Sequence, residues 1–408
     1  MKKKNVIKNI VMLYGMSVAK MVFPLLTLPY LTRVLSVQSY GMVSYVKAVM
    51  QYMQLAVDFG FMLSGTKDIV KARGDHEVLE KETGDIFLAR LLLVGITFIV
   101  LLGMIVVIPI LNANVSYTLL AFLTVFLSIF LFDYYFRGVE KMQVITLRFV
   151  IMRGIATLLT FVFVHSDKDI LFIPVLDAIG SMTAVILVVV ELKKENINIR
   201  FSGVTVALKK LKDSFVYFAS NMATTAFGAL NTLLIGAFLP ATEVAYWSVC
   251  MQLIGAVQAM YTPITDGVYP EMIKTKSWKF VRKLLMVFMP IVFVGSLFSV
   301  VVAPYVLLIV GGKQYVAATQ IFRMLIPVLF FSFPAIVFGW PTLGALDKEK
   351  QVTQTTILSA IVQIVGLLGL LATGHFTIMW IAVFRCMTEF VLMASRGLYC
   401  WKYRKEFK

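Results

Sequence analysis

Between residues 40 and 58, six polar side chains interrupt an apolar run at intervals of 4, 3, 4, 3 and 4: Tyr40, Ser44, Lys47, Gln51, Gln54 and Asp58. On an α-helix that spacing puts all six on one face. Ser17, Lys20, Pro24 and Thr27 share a face of the preceding apolar run, with Lys20 about ten residues from either end. Two later runs carry Asn221, Thr224, Gly228 and Asn231, and then Ser248, Gln252 and Gln258. Near the end of the chain Arg385 and Glu389 stand one turn apart, and Asp177 and Arg323 are further charges in apolar surroundings. Ammonium and guanidinium groups bind anions, amides and hydroxyls hydrogen-bond, and carboxylates hold a proton or a sodium ion. In lipid each of these groups is costly, so such stripes face a partner helix or a water-filled cavity. A shared hydrophilic cavity is the economical reading of the set. For any single Ser, Thr or Asn, ordinary helix–helix hydrogen bonding competes. For the lysines, snorkelling or a structural ion pair competes, although Lys20 sits too deep for easy snorkelling. Arg385 and Glu389 could equally form a mutually satisfied pair. Asp58, Arg90, Asp133, Arg137, Arg148, Arg153 and Asp266 fall near the inner interface, where a gate or a topogenic role is open to them.

The elements that must position these residues follow from composition. Of 408 residues, 60% are apolar and 15% charged, with mean hydropathy +0.87; a water-soluble domain carries about 25% charged residues. Uncharged runs cover 214–242, 284–312 and 351–384, each long enough for the roughly 20 residues that cross a bilayer. Backbone groups in lipid require helices or a closed barrel, and runs without period-two alternation favour helices. The fold class is therefore all-α membrane protein. Twelve spans are predicted, at 9–32, 40–65, 86–110, 116–136, 144–164, 170–191, 214–239, 243–269, 283–306, 318–346, 351–373 and 376–399.

With the N-terminus inside, 31 of the 38 Lys and Arg fall in inner segments, which the positive-inside rule favours and which supports an even number of spans. Both termini are then cytoplasmic. The net charge of +16 is charge for anionic headgroups, and nucleic acid is not an expected partner. The lysine-led N-terminus leads into an apolar stretch that is too long for a cleaved signal, so it reads as a retained first span. Cys250, Cys386 and Cys400 lack metal-ligand spacing, and His76, His165 and His375 are isolated. No phosphate-binding glycine loop and no nucleophile motif occurs. No cofactor, metal or enzymatic activity is expected.

The two halves of the chain echo each other at an offset of 204 residues. Ser17, Lys20 and Thr27 fall on Asn221, Thr224 and Asn231; Ser44 and Gln54 fall on Ser248 and Gln258. The expected lobes are 1–200, holding helices 1–6, and 201–408, holding helices 7–12, arranged as parallel copies around a central cavity. Prolines inside the spans, among them Pro24, Pro29, Pro263, Pro270, Pro327, Pro334 and Pro341, permit kinks that serve either bending or static packing.

The segment Leu25-Leu26-Thr27-Leu28-Pro29-Tyr30-Leu31-Thr32-Arg33-Val34-Leu35, then Ser39-Tyr40-Gly41 and Asp58-Phe59-Gly60, resembles the opening of oligosaccharide flippases. These are the Wzx-type exporters of polysaccharide repeat units, in the superfamily that also holds multidrug extruders and the lipid II flippase. The resemblance implies two six-helix lobes and alternating access that carries an undecaprenyl-diphosphate-linked oligosaccharide from the inner to the outer leaflet of the bacterial cytoplasmic membrane. It implies basic cavity residues for the diphosphate: Lys20 and Lys47 match positions where the lipid II flippase is basic. No helix 8 counterpart is evident, and Arg385 or Arg323 would have to substitute. On this reading Gln51, Gln54, Asn221 and Asn231 hydrogen-bond sugar hydroxyls, while Asp58, Glu389 and Asp177 are candidates for ion coupling or gating. Membrane lipids, a polysaccharide polymerase and assembly proteins are the implied partners. A multidrug or organic-cation antiporter of the same superfamily is the alternative, and would call for acidic rather than basic cavity residues. An integral-membrane polymerase or acyltransferase is a further one, without the large outer loop or membrane histidine that it would use.

Overall fold

The computed structural model describes residues 2–407, except the side chains of 2–11, 13, 220, 223–229 and 266. Thr224, Gly228 and Asp266, singled out above, thus have side chains outside the described residues. Among the described residues the chain is helical, with no strand. Two compact units divide it, Met1–Met222 and Ala223–Lys408.

The first unit contains α1 (Lys2–Val34), α2 (Val37–Asp58), α3 (Ser64–Ala72), α4 (His76–Val107), α5 (Pro109–Asn112), α6 (Val115–Ser128), α7 (Asp133–Gly138), α8 (Met142–Phe163) and α9 (Phe172–Lys194). α10 (Val204–Phe238) runs through the boundary. The second unit holds α11 (Ala241–Ala259), α12 (Tyr261–Thr275), α13 (Trp278–Gly311), α14 (Thr319–Leu325), α15 (Pro327–Val337), α16 (Glu349–Ala372) and α17 (Ile378–Lys402). A π-helical turn, Phe338–Leu343, follows α15. Helix lies at every one of the twelve predicted positions. Among the described residues eight helices are long and apolar enough to cross a membrane; α2 and α11, which carry polar stripes, are not among them.

Several spans differ from the expectation by being broken. α2 stops at Asp58 because Phe59 takes a left-handed conformation (φ 41°), and α6 gives way to α7 through Phe132 (φ 46°). The expected 243–269 span is two helices, α11 and α12, meeting at Met260. Starts follow side-chain caps: the hydroxyls of Ser36 and Ser277 and the carboxylate of Asp75 accept the amides of Ser39, Phe280 and Val78, each satisfying an orphan donor of a first turn.

The boundary also differs, since 201–222 belongs with the first unit rather than with a lobe beginning at 201. Carboxylates of α3 and α4 hold this stretch. Glu80 accepts the Asn198 amide at 2.7 Å and pairs with Arg200 at 2.9 Å, and Asp85 accepts the Ser202 amide at 2.7 Å. Lys210 pairs with Asp68 at 2.8 Å and with Glu82. Burial opposes the charge on Lys210, but these two carboxylates outweigh it and hold the amine above its ordinary value. Ser64 and Ser214 hydroxyls meet at 2.7 Å, and Phe59 stacks on Phe218 at 4.4 Å.

The 204-residue echo reappears in the helix ends. α4 shifted by 204 would span 280–311, and α13 spans Trp278–Gly311; α2 shifted likewise gives 241–262, against Ala241–Ala259 for α11. α9 shifted gives 376–398, against Ile378–Lys402 for α17. The register of elements repeats even where residue identity does not.

Candidate functional site

α2 packs so tightly in the first unit that Val43, Val46, Val49 and Val57 are fully or nearly fully buried. From Ser39 to Gly60 only Lys47 and Gln51 are exposed, and they are one turn apart. Gln54 and Asp58 continue the same face, half-buried. Among the described residues no hydrogen bond or ion pair engages Lys47. The charges acting on it come from Asp177 on α9 and Arg153 on α8, which approach each other at 3.5 Å. Lys20, exposed on α1, lies over the Phe149 ring at 5.7 Å, a cation–π contact. Phe149 is one helical turn before Arg153, so α8 presents both toward this region. Four helices thus bring three cations, Lys20, Lys47 and Arg153, and one carboxylate, Asp177, into one half of the molecule. The sequence singles out Lys20, Lys47 and Asp177, and counts Arg153 among the charges near the inner interface.

Deeper along α2 the chemistry changes. Asp58 accepts from Arg90 at 2.7 Å and from the Gln54 amide at 3.0 Å, and the same amide donates to Ser128 at 2.9 Å. Arg148 pairs with Asp133 beside them. Arg90 and Arg148 are almost wholly buried, so their charges must be compensated in place. Asp58 and Gln54 are therefore engaged in a structural network in this state, with Asp58 neutralising a buried arginine rather than waiting for an ion.

The second unit has a different polar core. Asn231 is fully buried, its side-chain carbonyl accepting from Gln363 at 2.8 Å, while Thr388 donates to Gln363 at 2.7 Å. Arg385 and Glu389 pair at 2.6 Å, both buried. Arg396, also buried, reaches the Ala335 carbonyl at 2.7 Å and the Thr355 and Thr356 hydroxyls. Arg323 is exposed on α14 and donates to the Val300 carbonyl at 3.0 Å. Asn231, Arg385 and Glu389 thus form the interior of their unit rather than a surface open to a ligand, because each finds a protein partner. Asn221 is half-buried on α10. Arg396 and Gln363 were not singled out from sequence: Arg396 stands near the chain end among topogenic cations, and Gln363 is one amide in a long uncharged run.

The family model described as "Polysaccharide biosynthesis protein" matches residues 6–276, well over half of the chain. The chain belongs to the polysaccharide biosynthesis protein family. Its opening motif lies within the matched residues, so the resemblance to polysaccharide-repeat exporters stands. A relative named "Putative O-antigen transporter" in Shigella dysenteriae is 26% identical over 367 residues, covering 88% of this chain and 91% of that protein. A protein of the same name in Escherichia coli (strain K12) is 24% identical over 375 residues, covering 89% and 88%. Among solved structures, the lipid II flippase MurJ in an inward closed conformation matches with a TM-score of 0.74 at 12% identity, over 98% of this chain and 89% of that one. An inward-facing multidrug resistance MATE family transporter of the MOP superfamily matches with 0.65 at 14% identity, over 95% and 99%. At these identities the likeness is one of fold, and it places this family member among two-lobed, multi-pass membrane proteins.

Proposed function

We propose that the protein is a flippase that carries an undecaprenyl-diphosphate-linked oligosaccharide from the inner to the outer leaflet of a bacterial cytoplasmic membrane, with both termini cytoplasmic. The observation that carries this reading is the group of membrane charges gathered around α8, outside the Arg90–Asp58 and Arg148–Asp133 pairs: Lys20, Lys47 and Arg153 against the Asp177 carboxylate. Two uncompensated positive charges among apolar helices suit a diphosphate. Lysine meets phosphate as a point charge, while arginine adds a bidentate fork. Gln51, exposed one turn from Lys47, supplies an amide for the first sugar. The names of the two relatives support a lipid-linked glycan as cargo. A drug or organic-cation antiporter would be served by an excess of carboxylates, and the region has the opposite sign.

In this mechanism the cations replace the water that the diphosphate leaves behind, and alternating exposure of the two units carries it across. An inside-negative potential favours outward movement of an anion by about 2.3 kcal/mol per charge per 100 mV. The test is reconstitution in liposomes with a fluorescent undecaprenyl-diphosphate sugar, comparing the unmodified protein with the Lys20→Gln, Lys47→Gln double variant. Leaflet exchange by the former, and its loss in a folded, inserted double variant, is the expected result. Export of a cationic dye without any lipid exchange would replace the flippase reading with the multidrug one.

A further inference from the structure

The first two turns of α13 carry Lys279, Arg282 and Lys283 and no acidic residue. A helix N-terminus already bears partial positive charge, so three cations there are unfavourable unless an anion lies outside the helix. Among the described residues no ion pair or hydrogen bond engages Arg282. Beside it opens a groove of about 630 Å³, lined by Trp278, Arg282, Leu285, Met286, Met289, Pro290 and Phe338. Six of the seven come from α13 at spacings of three and four, which is one face of that helix. Phe338, in the π-helical turn, forms the other wall; its ring lies parallel to that of Trp278 at 6.4 Å, and Phe407 packs on Trp278 at 5.1 Å. One end of the groove is thus a cation with an aromatic amphipathic ring, and the rest is hydrocarbon and thioether.

We propose that this groove holds an anionic glycerophospholipid of the surrounding bilayer, its phosphate on Arg282 and one acyl chain along Leu285, Met286, Met289 and Phe338. The volume falls within the range of about 300–1,000 Å³ that small-molecule sites occupy. Lys279 and Lys283 add attraction for a negative headgroup. Trp278 has the apolar body and single donor that suit the level of the headgroups. The lining offers no amide, hydroxyl or carboxylate, so nothing in it reads a sugar; that separates this site from the transport region and makes the proposal independent of the flippase assignment.

The test uses the full chain purified in detergent, offered equal amounts of phosphatidylglycerol and phosphatidylcholine, with retained lipid counted by native mass spectrometry. Phosphatidylglycerol should be retained in preference. Arg282→Gln should cut the retention of phosphatidylglycerol about ten-fold, the loss of one charge-assisted bond, while Met286→Trp, which fills the groove without touching charge, should lower the occupancy of both lipids. Wild-type retention and preference in both variants would overturn the site. So would displacement of the lipid by equimolar undecaprenyl diphosphate, which would make the groove a stretch of the cargo route.

Discussion

Arg90 and Asp58 show why depth alone does not identify a functional charge. Both sit on helices of the first unit, yet the guanidinium is buried and the carboxylate is the group that keeps it there. Removing the carboxylate of such a pair leaves an uncompensated buried guanidinium, so Asp58→Ala or, in the Arg148 pair, Asp133→Ala should destabilise the protein by about 3 kcal/mol. The Asp58→Ala, Arg90→Ala double variant should recover part of that loss; equal melting of the single and double variants in detergent would show that the pair is not coupled. Lys47 is the contrasting case, exposed with Gln51 on a mostly buried helix, with Asp177 and Arg153 acting on it. Lys20, Lys47 and Asp177 stand out in the sequence because an intramembrane charge is conspicuous in any apolar run. Arg153 stands out less, because counting residues from a helix end measures depth but not which helix stands opposite. For Asn231, likewise, periodicity gives its face, whereas packing shows that Gln363 meets it there.

Two connections hold their elements by carboxylates. Between α8 and α9, Asp167 accepts the Ser36 amide at 2.9 Å at the start of α2. Slight burial works against its charge, but the Ser36 amide and the Ser36 and Ser39 hydroxyls prevail and hold the carboxyl below its ordinary value. A depressed folded value means the contribution is fully present above the unfolded value of 3.8 and is lost as pH falls through the folded one. Asp167→Asn should therefore lower the melting temperature more at neutral pH than at pH 3, as a thermal scan in detergent at both values would read; the same loss at both would exclude the carboxylate. The second connection is the strap from α9 to α10. A Cβ on Gly84 would lie 1.8 Å from the Arg200 carbonyl oxygen, and backbone cannot yield as a side chain can. Gly84→Ala should cost about 1–3 kcal/mol through overpacking and speed tryptic cleavage after Arg200, while an unchanged cleavage rate would mean the strap is not seated on α4. The positions of the helices were legible from hydropathy, but the breaks at Phe59 and Phe132 were not. Left-handed backbone is ordinarily signalled by Gly or Asn, and phenylalanine gives no such sign.

At the scale of the whole chain, the repeat survives as a register of helix ends while the charges diverge. The positions 204 residues after Lys47, Asp58, Arg90 and Asp133 hold Met251, Thr262, Val294 and Val337. Conversely, the positions 204 before Arg385 and Glu389 hold Ser181 and Val185. Each copy keeps the frame with its own interior, the first with exposed cations and the Arg90–Asp58 and Arg148–Asp133 pairs, the second with a buried hydrogen-bonded core around the Arg385–Glu389 pair. The seating of 201–222 on α3 and α4 bears also on how the protein is made. Lys210, Ser214 and Phe218 complete contacts begun by Asp68, Ser64 and Phe59, so the first unit is not finished when α9 has left the ribosome. A nascent chain halted after residue 200 would expose Asp68, Glu82 and Asp85 without their partners; one halted beyond 222 would carry everything that this half needs. The opening turns of α10 are thus a late clasp in the birth of the molecule, closing one half as the next begins.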